Sequence, residues 1–347
     1  MPKQQQKHPT VSIVIPVYNG GRAFHECLTS LQAAISDPNV VSPEEIIVVS
    51  DGDTDGSWKL AEQFGATVIR CATSKGPARA RNLGARAAKG DILFFVDADV
   101  TIYPETVGKV AEAFDRDPEM AALIGSYDDE PGAENFLSQY KNLFHHYTHQ
   151  TSSEEATTFW GACGAVRRDI FLQVGGFDES YRAACIEDIE LGYRLKRHGH
   201  SIKLCKDIQV KHLKRWEVFS LLKADIFYRA LPWTALMLRE RQLKNDLNLQ
   251  TSSRVSVLFV YSLFLTVALA WASPSVLALL PAIAILLVIV NLPVYQFFHR
   301  TRGLPFTFRV IPWHWFYYFY SGLAFSIGTL RHGWQQLKPV IVRSADI

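Results

Sequence analysis

The chain has 347 residues with Lys+Arg 36 against Asp+Glu 34, a formal charge of +2 at pH 7. That balance leaves no basic surface of the kind nucleic acid needs and excludes it as a partner, while the length suffices for one α/β domain plus a further region. Acidic residues are dense up to about Gln250, then vanish from Thr251 until Asp346, where long apolar runs take over. The cysteines (Cys27, Cys71, Cys163, Cys185 and Cys205) are scattered and odd in number, which reads as reduced thiols in a cytosolic domain. The start, MPKQQQKHPT, is polar without an apolar core. No secretory signal is expected there, and residues 1–9 read as a flexible tail.

In chain order, Val11–Val17 is an apolar run closed by Tyr18, Asn19, Gly20 and Gly21, a buried strand entering a loop. Ala23–Ile35 has helical spacing at Phe24, Cys27, Leu28 and Leu31. Glu45–Val49 is a second strand, followed by the acidic turn Ser50 to Ser57. A helix through Phe64, a strand at Ala66–Cys71, a helix at Pro77–Ala88 and a strand at Ile92–Val96 continue the alternation. This predicts an α/β fold with a mainly parallel sheet covered on both faces, its ligands beyond the carboxyl ends of the strands. Neither a dinucleotide fingerprint nor a P-loop follows the first strand.

Asp97 and Asp99 close the fourth strand with one residue between them. Alternate residues of an extended strand point the same way, so the two carboxylates repel unless a cation intervenes. A hard divalent ion, Mg²⁺ or Mn²⁺, would satisfy them and leave room for diphosphate oxygens; a solvated acidic turn is the alternative. Gly76 to Gly84 opens the preceding helix, and Arg81 could reach bound phosphate or nucleotide. Glu187 and Asp188 begin another helix, where one carboxylate reads as a cap and two are harder to explain.

The ordered motifs VSIVIPVYNG, VVSDGDTDGS, GPARARNLGA, FFVDADV, FWGACGAVRRDIF, VGGFDE, EDIELGYRLKRHG and HLKRW resemble family 2 glycosyltransferases of the GT-A fold, from about Thr10 to Trp216. The resemblance implies that Pro16, Tyr18 and Asp51 cradle the nucleotide, with Ser50 standing where members usually carry a first aspartate. It implies that Asp97 and Asp99 hold the metal, Asp99 above all. Asp188, beside Glu187, would be the base that takes a proton from the acceptor hydroxyl in an inverting displacement. His212-Leu213-Lys214-Arg215-Trp216 resembles the Q-x-x-R-W of processive members, with His212 in place of glutamine. Arg215 and Trp216 would lie near donor and acceptor, and His212 could face the metal or diphosphate.

On this reading residues 10–213 form the catalytic domain, 214–250 amphipathic interface helices and 251–347 a transmembrane region. Trp216, Phe219, Leu222, Ile226 and Ala230 recur at helical spacing before Pro232 interrupts. Val255–Ala272 and Val276–Phe298 approach the roughly 20 residues that cross a bilayer core, and Trp313–Leu330 is a third candidate headed by Trp and Tyr. Arg239, Arg241, Lys244 and Arg254 precede the first run, and Arg300, Arg302 and Arg309 follow the second. Positive-inside bias then puts the catalytic domain on the cytoplasmic face of a multi-pass inner-membrane protein. The expected partners are a nucleoside-diphosphate sugar and a lipid or lipid-linked acceptor. Two other functions fit single features. Asp97-Ala98-Asp99-Val100-Thr101 also suits the nucleophile motif of a haloacid-dehalogenase-like phosphatase, and a catalytically silent nucleotide-sugar binder would need the same pocket without a base.

Overall fold

The computed structural model describes residues 8–241, 247 and 250–345, with side chains to Trp334. Most of the tail expected at 1–9, and Lys244 with its neighbours, lie outside the described residues. The chain divides into two compact units, Met1–Trp216 and Glu217–Ile347.

The first unit runs β1 (Val11–Val17), α1 (Gly21–Ser36), β2 (Glu45–Asp51), α2 (Ser57–Gln63), β3 (Thr67–Cys71), α3 (Pro77–Ala87) and β4 (Ile92–Val96). Then come β5 (Val100–Ile102), α4 (Thr106–Arg116), β6 (Met120–Tyr127), α5 (Phe136–Thr151), β7 (Cys163–Arg167), α6 (Arg168–Gln173), α7 (Glu187–Arg197) and β8 (Ser201–His212). One eight-stranded sheet results, in the order β3-β2-β1-β4-β7-β6-β8-β5. The pairs β1–β2, β2–β3, β1–β4 and β6–β8 are parallel; β4–β7, β6–β7 and β5–β8 are antiparallel. This is the mixed, mostly parallel sheet of the expected GT-A class. The second strand extends past Val49 to Asp51, so Ser50 and Asp51 belong to the ladder.

The central strands lack polar alternation because helices cover both faces. In β4 all residues are buried. Phe94 joins the core that holds Phe24 and Leu28 of α1. Phe95, pointing the other way, meets Phe159, Phe171 and Phe177 at centroid distances of 6.2, 5.4 and 5.1 Å. The chain steps from β1 outward through β2 and β3, then returns to the other side of β1 as β4. Loops after β1 and β4 therefore diverge and open a crevice at the sheet's switch point.

The second unit is helical: α8 (Val218–Lys223), a π-helical segment (Ala224–Ala230), α9 (Leu231–Glu240) and α10 (Thr251–Leu269). After a 3₁₀ turn (Pro274–Ala278) it continues with α11 (Leu279–Val290), α12 (Leu292–Arg302) and α13 (Leu304–Ala345). Three expectations are corrected here. Pro232 does not interrupt the helix, because it sits in the first turn of α9 just after the wider π segment, where its missing N–H breaks no bond. The run Val276–Phe298 is not one straight span: Pro274–Val290 and Leu292–Arg302 meet at 65° around Asn291 and Pro293. Among the described residues one helix, Thr251–Leu269, is long and apolar enough to cross a membrane, or two such spans if that bent pair counts as one. Residues 313–330 fall short, because the Trp and Tyr side chains at their head, with His314 among them, lower the mean hydropathy of α13.

Candidate active site

One wall of the crevice is a pair of loops clipped together. Asn19, in left-handed geometry at φ 51°, accepts the Thr54 N–H at 2.8 Å, and Gly20 and Gly21 donate to Ser57 Oγ and Asp55 Oδ2, both at 3.0 Å. Pro16, half-buried, lies in β1 just before these loops, and Tyr18 is 58% exposed. Asp51 is buried, and its oxygens accept from Ser74 Oγ at 2.7 Å and from the N–H groups of Lys75 and Gly76. The carboxylate expected at the nucleotide thus also organises the loop leading into α3. Gly76 must be glycine there: its φ is +98° and a Cβ would come within 2.4 Å of the Arg182 carbonyl. Ser50 donates its hydroxyl to Asp53, inside the acidic turn.

The two D-x-D carboxylates part company. Asp97 Oδ1 accepts from Arg81 Nη2 at 2.6 Å, whereas Asp99 Oδ2 faces His212 Nε2 at 3.6 Å. Arg81 lies on α3, its side chain only 6% exposed, and its Nη1 donates to Glu187 Oε1 at 2.9 Å. One guanidinium therefore joins the end of β4 to the start of α7. Charge on both flanks keeps it protonated despite burial. With both terminal nitrogens engaged, Arg81 braces the floor of the crevice.

Asp188 is half-buried on the first turn of α7. Its Oδ2 accepts the Gly161 N–H at 3.1 Å, and its Oδ1 the Ile189 N–H at 2.7 Å. Burial and the adjacent Glu187 carboxylate push it up to about 6, against the pull of Gly161 and Arg81. A carboxylate in that range is suited to accept a proton near neutrality. The helix approaches closely enough because residue 192 is glycine: a Cβ there would lie 2.2 Å from the Phe159 nitrogen. Glu187 is turned away, held by Arg81 and by the Cys185 N–H at 2.8 Å.

His212 reaches Asp99 through strand pairing. It ends β8 opposite Val100 of β5, and the Leu213 N–H closes on the Asp99 carbonyl at 2.8 Å. Burial raises Asp99, but His212 and Lys214 outweigh it and hold the carboxyl down at about 2. Trp216 is tied to α5, its backbone N–H donating to Ser138 Oγ and its backbone carbonyl accepting from Asn135 Nδ2, both at 2.7 Å. Arg215 is exposed beside it.

Among the described residues no group of three His, Cys, Asp or Glu side chains stands ready to hold a metal. The Asp99–His212 pair still fits one. Its 3.6 Å is too long for a hydrogen bond and close to the ~3 Å between adjacent ligands around an ion with bonds of ~2.1 Å. A carboxylate and an imidazole would supply two donors. Gly161, the N–H donor to Asp188, was visible in the sequence only as part of FWGACG; Asn142, which bonds His212, carried no signal there.

Comparison with known proteins agrees with this fold. Residues 12–175 match the family described as glycosyl transferase family 2. An uncharacterized glycosyltransferase of Haemophilus influenzae is 30% identical over 193 residues, 53% of this chain and 61% of that one. A glucosyl-dolichyl phosphate glucuronosyltransferase of Haloferax volcanii is 26% identical, covering 48% of this chain and 56% of that one. The chain thus spans about half to three-fifths of the length of these relatives. Among solved structures, a mannosyltransferase of Pyrobaculum calidifontis in complex with GDP-Man and Mn²⁺ superposes with a TM-score of 0.54 at 18% identity, covering 88% of this chain and 86% of that one. The phosphatase alternative loses its footing here, since its would-be nucleophile Asp97 follows the fourth strand and is bound to Arg81. By its sequence over residues 12–175 and by its GT-A fold, the first unit is a family 2 glycosyltransferase domain.

Proposed function

We propose that this chain moves a sugar, with inversion, from a nucleoside diphosphate to a lipid or lipid-linked acceptor at a membrane. The carrying observation is the guanidinium of Arg81, which bonds both Asp97 and Glu187. It sets the D-x-D strand end and the helix bearing Asp188 against one crevice. In this reading Pro16, Tyr18 and Asp51 line the nucleotide side, with Arg215 and Trp216 at the outer rim. Asp188 accepts the proton of the acceptor hydroxyl as that oxygen attacks the anomeric carbon from the face opposite the diphosphate, a contribution of about 10²–10⁴ in rate. Gly161 holds the receiving oxygen in place. Asp99 and His212, with Asp97 on Arg81, would hold Mg²⁺ or Mn²⁺ through the first pair, an ion that when bound would neutralise charge on the departing diphosphate.

The acceptor class rests on the second unit and on the relatives. Besides the Haloferax enzyme, a dolichol-phosphate mannosyltransferase of Pyrococcus furiosus is 32% identical over 120 residues. Near the start of the second unit Val218, Phe219, Phe227 and Tyr228 are exposed beside Lys223 and Arg229, as in a helix lying at the headgroups. In this reading α10 and the bent pair are the anchors, and positive-inside bias supports a catalytic unit on the cytoplasmic side of the inner membrane.

The test incubates membranes holding the chain with a panel of labelled nucleotide sugars, with and without EDTA, followed by organic extraction. EDTA-sensitive label in the lipid phase, lost in Asp188→Asn, supports the proposal. Nucleotide release unchanged in Asp188→Asn would instead support a binding protein without a base.

A further inference from the structure

His212 does not face the crevice unaided. Its ring lies flat on Tyr127, centroids 4.5 Å apart and planes 5° from parallel. Its Nδ1 is 2.7 Å from Oδ1 of Asn142, a carboxamide of α5 that is only 1% exposed. An amide oxygen only accepts, so Nδ1 is the donor in this pair and Nε2 is the nitrogen whose lone pair can meet a cation. That nitrogen is the one turned to Asp99. The Nδ2 of Asn142 has no partner among the described residues. His212 is therefore the one side chain there that accounts for an amide at this buried position.

We propose that Asn142 and Tyr127 are positioning residues that present His212 Nε2 as a nitrogen donor beside Asp99 and so bias the site toward Mn²⁺ over Mg²⁺. The inference rests on the metal reading above and extends it to residues that touch neither donor nor acceptor. The chemistry is that of an outer shell: a hydrogen bond at one imidazole nitrogen sets the tautomer, orients the ring and raises the basicity of the other. The bias follows from the donor set, since Mg²⁺ demands near-ideal octahedral oxygen coordination, while an imidazole nitrogen suits a transition ion better. Tyr127 adds orientation, because the stacked ring cannot rotate away without losing that face.

The experiment titrates Mn²⁺ into the full chain in detergent micelles, alone and with UDP or GDP, reading free Mn²⁺ by electron paramagnetic resonance and then competing with Mg²⁺. Asn142→Leu should weaken Mn²⁺ binding by about 10–100-fold and shrink the Mn²⁺/Mg²⁺ preference. Asn142→Asp, which still accepts from Nδ1, should bind as tightly as the parent or tighter. Asn142→Leu with unchanged affinity and preference overturns the inference. If that variant does not fold, Asn142→Asp decides, a tenfold loss overturning it. Failure of the metal reading looks different: His212→Ala would then bind Mn²⁺ like the parent, or the parent would not bind it at all.

Discussion

Replacing Arg81 by methionine should unfold the first unit at a markedly lower temperature. The guanidinium is 6% exposed and makes two charge-assisted bonds, at 2.6 Å to Asp97 and 2.9 Å to Glu187. Glu187 is itself 4% exposed and keeps only the Cys185 N–H when the arginine is gone. Breaking a buried pair by removing one partner costs about 3–5 kcal/mol. For a unit of this size each kcal/mol moves the melting temperature by roughly 2–4 °C, so the expected fall is roughly 6–20 °C. Differential scanning calorimetry near pH 7.5 on the first unit's transition is the assay. A double variant, Arg81→Met with Glu187→Met, should recover part of the loss, since an apolar pair of similar volume leaves no stranded charge. A fall under about 1 kcal/mol for the single variant would mean the pair is solvated, and the brace between β4 and α7 would not exist.

Asp188→Asn should lose about 10²–10⁴ in transfer rate, and the parent's rate should rise with pH through about 6 as the carboxyl deprotonates. The stability effect runs the opposite way. A carboxyl raised from 3.8 to about 6 on folding makes the parent progressively less stable as pH climbs across that window. Asp188→Asn should therefore melt higher than the parent at pH 8 and equally at pH 3.5; the reverse order at pH 8 contradicts the assigned environment. Gly192→Ala, whose Cβ would meet the Phe159 nitrogen at 2.2 Å, should push α7 outward and lower kcat about 10²-fold with donor affinity kept; an unchanged kcat refutes that packing role. In the second unit Asn291 donates to Ser256 Oγ at 2.8 Å and accepts from Tyr318 at 2.7 Å. Asn291→Leu should cost about 1 kcal/mol there, read as a lower melting point in detergent.

The first strands were legible because burial on both faces writes itself as unbroken apolar runs: Val11–Val17 and Ile92–Val96 stand where the pattern puts them. The stretch between Val100 and about Glu155 offered no motif, yet it supplies β5, β6 and α5, which carry His212's neighbours. Asn142 and Tyr127 were invisible because their contacts with His212 join residues 70 and more apart in the chain. The separation of Asp97 from Asp99 could not be read from a strand period alone; it depends on Arg81, a residue of α3. In the second unit, hydropathy located apolar segments but not the 65° bend, which turns on Asn291 and Pro293.

The most direct test of the whole account separates donor grip from proton acceptance in two variants. With the donor identified by the labelled panel, its binding and its transfer are measured in Asp99→Asn and Asp188→Asn. The account predicts that Asp99→Asn loses metal-dependent binding, while Asp188→Asn binds normally and transfers at least a hundredfold more slowly. Transfer near the parent rate in Asp188→Asn, or metal-dependent binding intact in Asp99→Asn, would contradict it.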